Sequence, residues 1–232
     1  MRSPDAAHGD SDSAVTQDYL KAVWAASEWG GSGASITGLA RRMGVAPSTA
    51  SENVARLVEA GLLEHEPYRA VTLSEEGRRR ACLMVRRHRL LETYLVERLG
   101  FDWDEVHAEA EDLEHACSER LLQALDSALG HPVRDPHGDP IPLPDGSIVQ
   151  PELRALDTVS VGRTAVVARI DDDTELLRRL AAAGIGLDTP VAVVARPAGA
   201  QRARRSTTIR AVLAPEGTLE VEVPAATLWV LA

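Results

Sequence analysis

Four side chains with metal-binding chemistry crowd the segment VHAEAEDLEH: His107, Glu111, Glu114 and His115. Their spacing, i, i+4, i+7 and i+8, puts all four on one face of a helix. Upstream, in RRHRLLE, His88 and Glu92 stand four apart and share a face in the same way. Carboxylates and imidazoles held this close repel, hydrogen-bond or share a cation. A divalent metal is the economical answer, because it neutralises the acids and accepts the lone pair of a neutral imidazole. His88 by itself reads as an ordinary core or surface histidine; the set together reads as ligands. No glycine-rich phosphate loop, HExxH pair or nucleophile elbow competes, so no enzyme and no small-molecule substrate is expected.

The element that must hold most of these donors is expected to be one helix from Trp103 to Leu129. Beside the donors it carries an apolar stripe, Val106, Ala110, Leu113, Cys117, Leu121 and Leu125, suited to a core or a dimer interface. Further upstream, Ile36, Leu39, Ala40 and Met43 mark one face of a short helix that breaks at Gly44-Val45. Pro47 opens a second helix at the position where its missing N–H costs nothing. Ala50, Val54, Leu57 and Val58 would be its buried face, and Gly61 its stop. So tight a junction is a helix-turn-helix pattern. The second helix would present Pro47, Ser48, Thr49, Ser51, Glu52 and Asn53 near its N-terminal end, where a recognition helix meets base edges. Glu52 is awkward next to phosphates but can accept from a cytosine amino group. Leu62–Glu64 and Ala70–Leu73 can pair across Glu66-Pro67-Tyr68-Arg69, with Arg69 at the tip set to reach a phosphate. Ser74 is expected to cap the next helix. Helix-turn-helix followed by a hairpin is a winged helix, and double-stranded DNA is its expected partner.

The chain has 232 residues, 44% hydrophobic and 26% charged, enough for one or two cores. No apolar run approaches the ~20 residues a bilayer requires. The first 13 residues are polar without a signal-peptide core, so a cytoplasmic, membrane-free protein with a flexible N-terminus (1–13) is the expectation. Cys82 and Cys117 offer no disulfide framework. The net charge of −10 argues against nucleic acid only weakly, because DNA contact depends on a local patch. The acids concentrate near 102–119 and 171–175, while arginine dominates 78–89. Residues 130–152 read as a Pro/Gly/Asp-rich connection, and the texture then turns to short β-branched runs. Strands are expected at Val159–Val161, Ala165–Ile170, Pro190–Ala195, Thr207–Leu213 and Leu219–Val223, with one helix at about Thr174–Ala183.

These features together resemble the diphtheria-toxin-repressor family of metalloregulators in its long, two-part form. The likeness rests on the winged helix, RRHRLLE, VHAEAEDLEH, PHGDPIP (136–142) and the C-terminal β module. It implies a mainly α fold: a winged helix-turn-helix (14–76), a helical metal-binding and dimerisation domain (77–130), a proline-rich linker (131–157) and an SH3-like domain (158–232). It implies a homodimeric repressor of metal-homeostasis genes on a palindromic operator, with two metal ions per subunit. The primary site maps onto Asp18, Glu111, Glu114 and His115. The ancillary site maps onto His88, Glu92 and His107, completed by Asp173, with Asp172 or Glu175 as alternatives. Iron-responsive members carry methionine and cysteine where Asp18 and Glu111 stand, and hard oxygen donors suit Mn²⁺. Manganese is therefore the expected cofactor, with an iron-dependent repressor of the same family as the alternative. Short-form manganese regulators carry an acid where this chain has Lys21, which favours two separate sites over a bridged pair. A di-metal carboxylate protein without regulatory function is the remaining alternative, although di-metal bundles need Glu-x-x-His on two helices. A DNA-binding protein indifferent to metal would ignore a chelator.

Overall fold

Local capping decides where the first helices begin. In the computed structural model, which describes residues 13–195, 206–213, 217–224 and 226–231, Ser13 Oγ accepts from the Thr16 N–H to start α1 (Ala14–Ala25). Ser35 does the same for Gly38 at the start of α2 (Ile36–Arg42). The rest of the expected flexible N-terminus lies outside the described residues. Gly44, in the left-handed region at φ +65°, turns the chain into α3 (Pro47–Glu59), which starts on Pro47 in place of a side-chain cap. At its end Gly61 (φ +71°) donates to Val58 O. The wing is a short antiparallel pair, β1 (Leu63–Glu64) and β2 (Thr72–Leu73), widened by a bridge from Ala34 to Val71. Ser74 then caps α4 (Glu75–Leu99) through the Gly77 N–H, as expected.

The chain divides into two compact units. The first holds residues 13–88, 114–117 and 142–148, and its core joins Tyr19, Leu20 and Val23 of α1 to Leu39 of α2 and Val54 and Leu57 of α3. Ala81, Cys82 and Val85 of α4 complete that core. The first turns of α4, beyond the expected boundary at 76/77, thus pack into the winged-helix core.

The second unit holds 89–113, 118–141 and the described residues from 149 onward. The expected helix from Trp103 to Leu129 is two helices, α5 (Val106–Glu114) and α6 (Glu119–Leu129). Ser118 caps α6 through the Leu121 N–H, so the polypeptide restarts a helix instead of continuing one. The apolar stripe is split accordingly: Val106, Ala110, Cys117 and Leu125 are buried, whereas Leu113 and Leu121 are exposed. The C-terminal region is a six-stranded antiparallel sheet in the order β3-β8-β4-β5-β6-β7. Its strands are β3 (Leu153–Ala155), β4 (Thr164–Ile170), β5 (Pro190–Ala195), β6 (Ser206–Leu213), β7 (Gly217–Pro224) and β8 (Leu228–Leu231). The strand expected at Val159–Val161 is absent, because a 3₁₀ turn at Leu156–Thr158 and Gly162 at φ +84° occupy that stretch. β3 and β8 went unforeseen, each only three or four residues long. Helix α7 (Thr174–Ala182) buries Leu176, Leu177 and Leu180 against Val167, Val191 and Val230.

The proline-rich segment is no loose linker. Asp135, His137, Asp139 and Ile141 are buried. Gly138 sits at φ +93° so close to β4 that a Cβ would stand 2.1 Å from Ala168 O. Arg89 donates to Pro140 O, and Arg86, in the first unit, to Pro142 O. Arginines thus satisfy carbonyls that prolines leave outside regular structure. Among the described residues no helix is long and apolar enough to cross a membrane.

Candidate metal centre

In the first unit Asp18, Glu114 and His115 each offer a donor atom, all within 4.8 Å of one another. Asp18 comes from the first turns of α1, Glu114 ends α5, and His115 follows it. His115 Nε2 lies 3.0 Å from Asp18 Oδ1 and 3.8 Å from Glu114 Oε1. Its other nitrogen, Nδ1, is 2.9 Å from Gln17 Oε1. With Nδ1–H donating to Gln17, the neutral ring aims its Nε2 lone pair at two carboxylates. That contact is repulsive unless a proton or a cation lies between them. Gln17, not singled out from the sequence, is the partner of that Nδ1.

Glu114 is 1% exposed. Its Oε1 accepts from Lys21 Nζ at 2.5 Å, and its Oε2 is 2.6 Å from His88 Nδ1. Burial pushes this carboxyl up, but His88 and Lys21 together outweigh burial and hold it below the usual carboxylate range. His88, expected beside Glu92 one turn along α4, therefore has one ring nitrogen committed to Glu114. Glu111, the fourth expected primary ligand, is not among the three convergent donors; it is exposed and stands 3.9 Å from His107 Nε2.

The second unit gathers its own acids and imidazoles. His107 Nδ1 lies 3.1 Å from Glu92 Oε1 and 3.0 Å from Asp172 Oδ2. Glu92, His137 and Asp172 also bring donor atoms within 4.8 Å of one another. Asp173, the expected ligand, is engaged elsewhere: its Oδ1 accepts from the Leu176 N–H at 2.8 Å and caps α7. Asp172, held as an alternative, is the acid that meets His107, while the other alternative, Glu175, is exposed in the first turn of α7. His137 comes from the PHGDPIP segment and was not foreseen as part of a cluster. Its Nε2 lies 2.8 Å from Trp103 O and 3.9 Å from Asp172 Oδ1. Burial pulls this imidazole down, yet Asp135, Glu92, Asp172 and the Trp103 carbonyl together raise it. Asp135, whose Oδ1 accepts from the N–H groups of His137 and Asp139, is pushed up to about 7 by burial and by Asp139 and Glu92, against the pull of Arg89 and His137.

On the winged helix, Pro47, Ser48, Thr49, Ser51 and Glu52 are exposed at the start of α3. Asn53 departs from the expected outward pose. It is half-buried, its Nδ2 donates to Thr49 O, and its Oδ1 accepts from Arg56. Arg69 is exposed at the wing tip, with Glu66 3.9 Å away. Tyr68 beside it, at φ +66°, is fully exposed, and Arg41 and Arg42 lie exposed at the end of α2. None of these three was singled out from sequence.

Comparison with known proteins gives three domain matches. Residues 13–71 match the iron dependent repressor N-terminal DNA binding domain, and residues 74–143 match the iron dependent repressor metal binding and dimerisation domain. Residues 154–222 match the FeoA domain. The iron-dependent repressor IdeR of Mycobacterium leprae is 34% identical over 202 residues, covering 80% of this chain and 86% of that one. The diphtheria toxin repressor of Corynebacterium diphtheriae is 28% identical over 197 residues, covering 78% and 85%. Among solved structures, a manganese-dependent transcriptional repressor in complex with manganese is 48% identical at a TM-score of 0.82, covering 93% of this chain and 99% of that one.

Proposed function

The chain belongs to the diphtheria toxin repressor family of metal-dependent, DNA-binding transcriptional repressors, and within that family we propose that it is a manganese-activated repressor of metal-uptake genes. The observation that carries this reading is the convergence of Asp18, Glu114 and His115, an oxygen- and nitrogen-only donor set around one point. Such hard donors fit Mn²⁺, which stands low in the Irving–Williams order and cannot win a thiolate site by affinity. The manganese complex of a 48% identical repressor supports the same metal. Iron remains the specific competitor, since the mycobacterial relative is an iron-dependent repressor.

Asp18, Glu114 and His115 would hold the primary ion. Glu92, His107 and Asp172 would form the ancillary set. Bound at the primary set, a divalent cation supplies the positive charge that lets these acids and the imidazole meet without repulsion. The protein supplies the rest. Gln17 orients His115, while Lys21 and His88 hold Glu114. Asp18 lies on α1, whose Tyr19, Leu20 and Val23 share a core with Val54 and Leu57 of α3. Fixing α1 therefore fixes the recognition helix. In a homodimer this selects the spacing of two recognition helices, about 34 Å for successive major-groove turns of a palindrome. Leu113 and Leu121, exposed on the single chain, suit the dimer face. The coupling is reciprocal, so operator DNA tightens metal binding by the factor by which metal tightens DNA binding.

The deciding experiment selects genomic fragments with the metal-free protein supplied with Mn²⁺, with anaerobic Fe²⁺, or with chelator. Palindromic fragments recovered only with Mn²⁺ support the reading. Equal recovery with Fe²⁺ removes the selectivity, and equal recovery in chelator removes the switch. An Asp18→Met variant should shift preference toward Fe²⁺; unchanged selectivity would defeat the hard-donor argument.

A further inference from the structure

The second unit holds a polar cavity of about 400 Å³ whose walls include none of the candidate metal ligands. Those walls are Arg154, Thr158, Val159, Ser160, Arg163 and Thr164. No acid is among them, although the chain as a whole carries a net charge of −10. Arg134 and Arg178 in the same unit hold acids, Asp188 and Asp104 respectively. Among the described residues no carboxylate pairs with Arg154 or Arg163, and the hydroxyls of Ser160 and Thr164 make no hydrogen bond. Thr158 is different: its Oγ1 donates to Ala155 O at 2.7 Å, so it lines the cavity with its proton already committed. Local structure brings the two arginines together. β3 carries Arg154, and the 3₁₀ turn followed by Gly162 at φ +84° returns the chain so that Arg163 reaches the same cavity. The wall between them is pinned, because Gly162 N donates to Val193 O, Val193 N donates to Arg163 O, and Leu156 and Val159 are buried in the module's core.

We propose that this cavity binds a small phosphate-bearing molecule, one per chain, independently of the metal clusters. Two guanidiniums bring rigid forks of N–H donors and no acceptor, and the hydroxyls of Ser160 and Thr164 add two more donors. A carboxylate offers two oxygens and is filled by a single fork. A phosphoryl group offers three, enough to meet both forks and a hydroxyl together. The volume lies in the range of sites for small organic ligands, about 300–1,000 Å³, and exceeds the needs of a bare ion. A phosphoryl group held by both arginines ties β3 to the start of β4 across β8, which lies between them in the sheet. Occupancy therefore stabilises the C-terminal sheet, as any ligand of the folded state does.

The test uses the full chain stripped of metal, with inorganic phosphate titrated against chloride at constant ionic strength so that screening does not change. Calorimetry should show saturable binding of one phosphate per chain. Arg154→Gln and Arg163→Gln should each weaken it by about tenfold or more, since each removes a charge-assisted fork. Arg179→Gln, which removes the same charge from an exposed position on α7, should leave it unchanged. No saturable binding to the wild type, a result independent of any variant, would overturn the proposal, as would binding that Arg154→Gln or Arg163→Gln leaves unchanged. Binding weakened equally by Arg179→Gln would show a response to net charge alone and overturn it too. Citrate binding more tightly than phosphate would give the cavity to carboxylates and overturn the assigned class. Operator DNA is the other source of phosphate: Arg154→Gln should leave the salt slope of operator binding unchanged, and a slope lowered by about 1 would place the cavity on the DNA backbone and overturn the small-molecule assignment.

Discussion

Replacing Glu114 with glutamine separates the two roles assigned to this residue, buried counter-ion and metal ligand. The amide keeps the volume of the carboxylate and loses its charge. In the metal-free protein Lys21, 7% exposed, would then face an amide where it had a carboxylate 2.5 Å away. Breaking a buried pair from one side costs about 3–5 kcal/mol, because the surviving charge is left uncompensated. The glutamine carbonyl still accepts one hydrogen bond from Nζ, which places the expected loss near the lower end, at about 3 kcal/mol. With a urea m-value of about 1–3 kcal/mol/M, the midpoint should fall by roughly 1–3 M.

The second role is read by repeating the titration in Mn²⁺. At about a hundred times the dissociation constant, binding to the folded state adds about 2.7 kcal/mol to the wild type. Glu114→Gln should lose most of that increment, since an amide oxygen is a much weaker ligand for a cation than a carboxylate. Trp24, buried in the first unit's core, provides a fluorescence signal for the transition. A midpoint in chelator equal to that of the wild type would refute the buried-pair reasoning. A fully retained Mn²⁺ increment would remove Glu114 from the ligand set even if the stability loss appears as expected.

Three further outcomes follow from other parts of the molecule. Asp173→Ala should cost about 1 kcal/mol by uncapping α7 and leave metal affinity alone, whereas Asp172→Asn should weaken the second cluster's metal by about tenfold or more. Calorimetric titrations giving the reverse pattern would return the ligand role to Asp173. Arg69→Ala should weaken binding about equally across operator sequences and lower the salt slope by about 1, so an unchanged slope would take the wing off the phosphates. Asp135 is raised in the folded protein to about 7, so folding takes up protons and the neutral carboxyl's contribution is lost as pH rises from about 4 through about 7. Metal-free protein should thus lose on the order of a few kcal/mol of stability across that window relative to Asp135→Asn, and parallel denaturation profiles would show that Asp135 ionises normally.

What the sequence made legible was periodicity and punctuation. Pro47, Gly61 and Ser74 mark the ends of their helices, and Leu39, Ala40, Ala50, Val54 and Leu57 are buried as their spacing requires. What it concealed was the commitment of individual side chains. In the run Asp171-Asp172-Asp173-Thr174 any of the three acids has the reach of a ligand, and spacing alone does not choose among them. Helix-capping physics does choose: the aspartate directly before a helix spends an oxygen on the first-turn N–H groups, and α7 begins at Thr174. Asp173 is therefore the acid least free to ligate, and the residue before it is the one that reaches His107. Asn53 follows the same logic, since part of its amide is already tied to Thr49 O and Arg56. Ser118 does so at the level of the backbone, because a cap that starts α6 ends the helix in which His115 had been placed. A donor's chemistry is written in its type, but its availability is what remains after the backbone's unpaired N–H groups have been satisfied. The same accounting favours Asp172 over Asp173 as the proposed partner of His107.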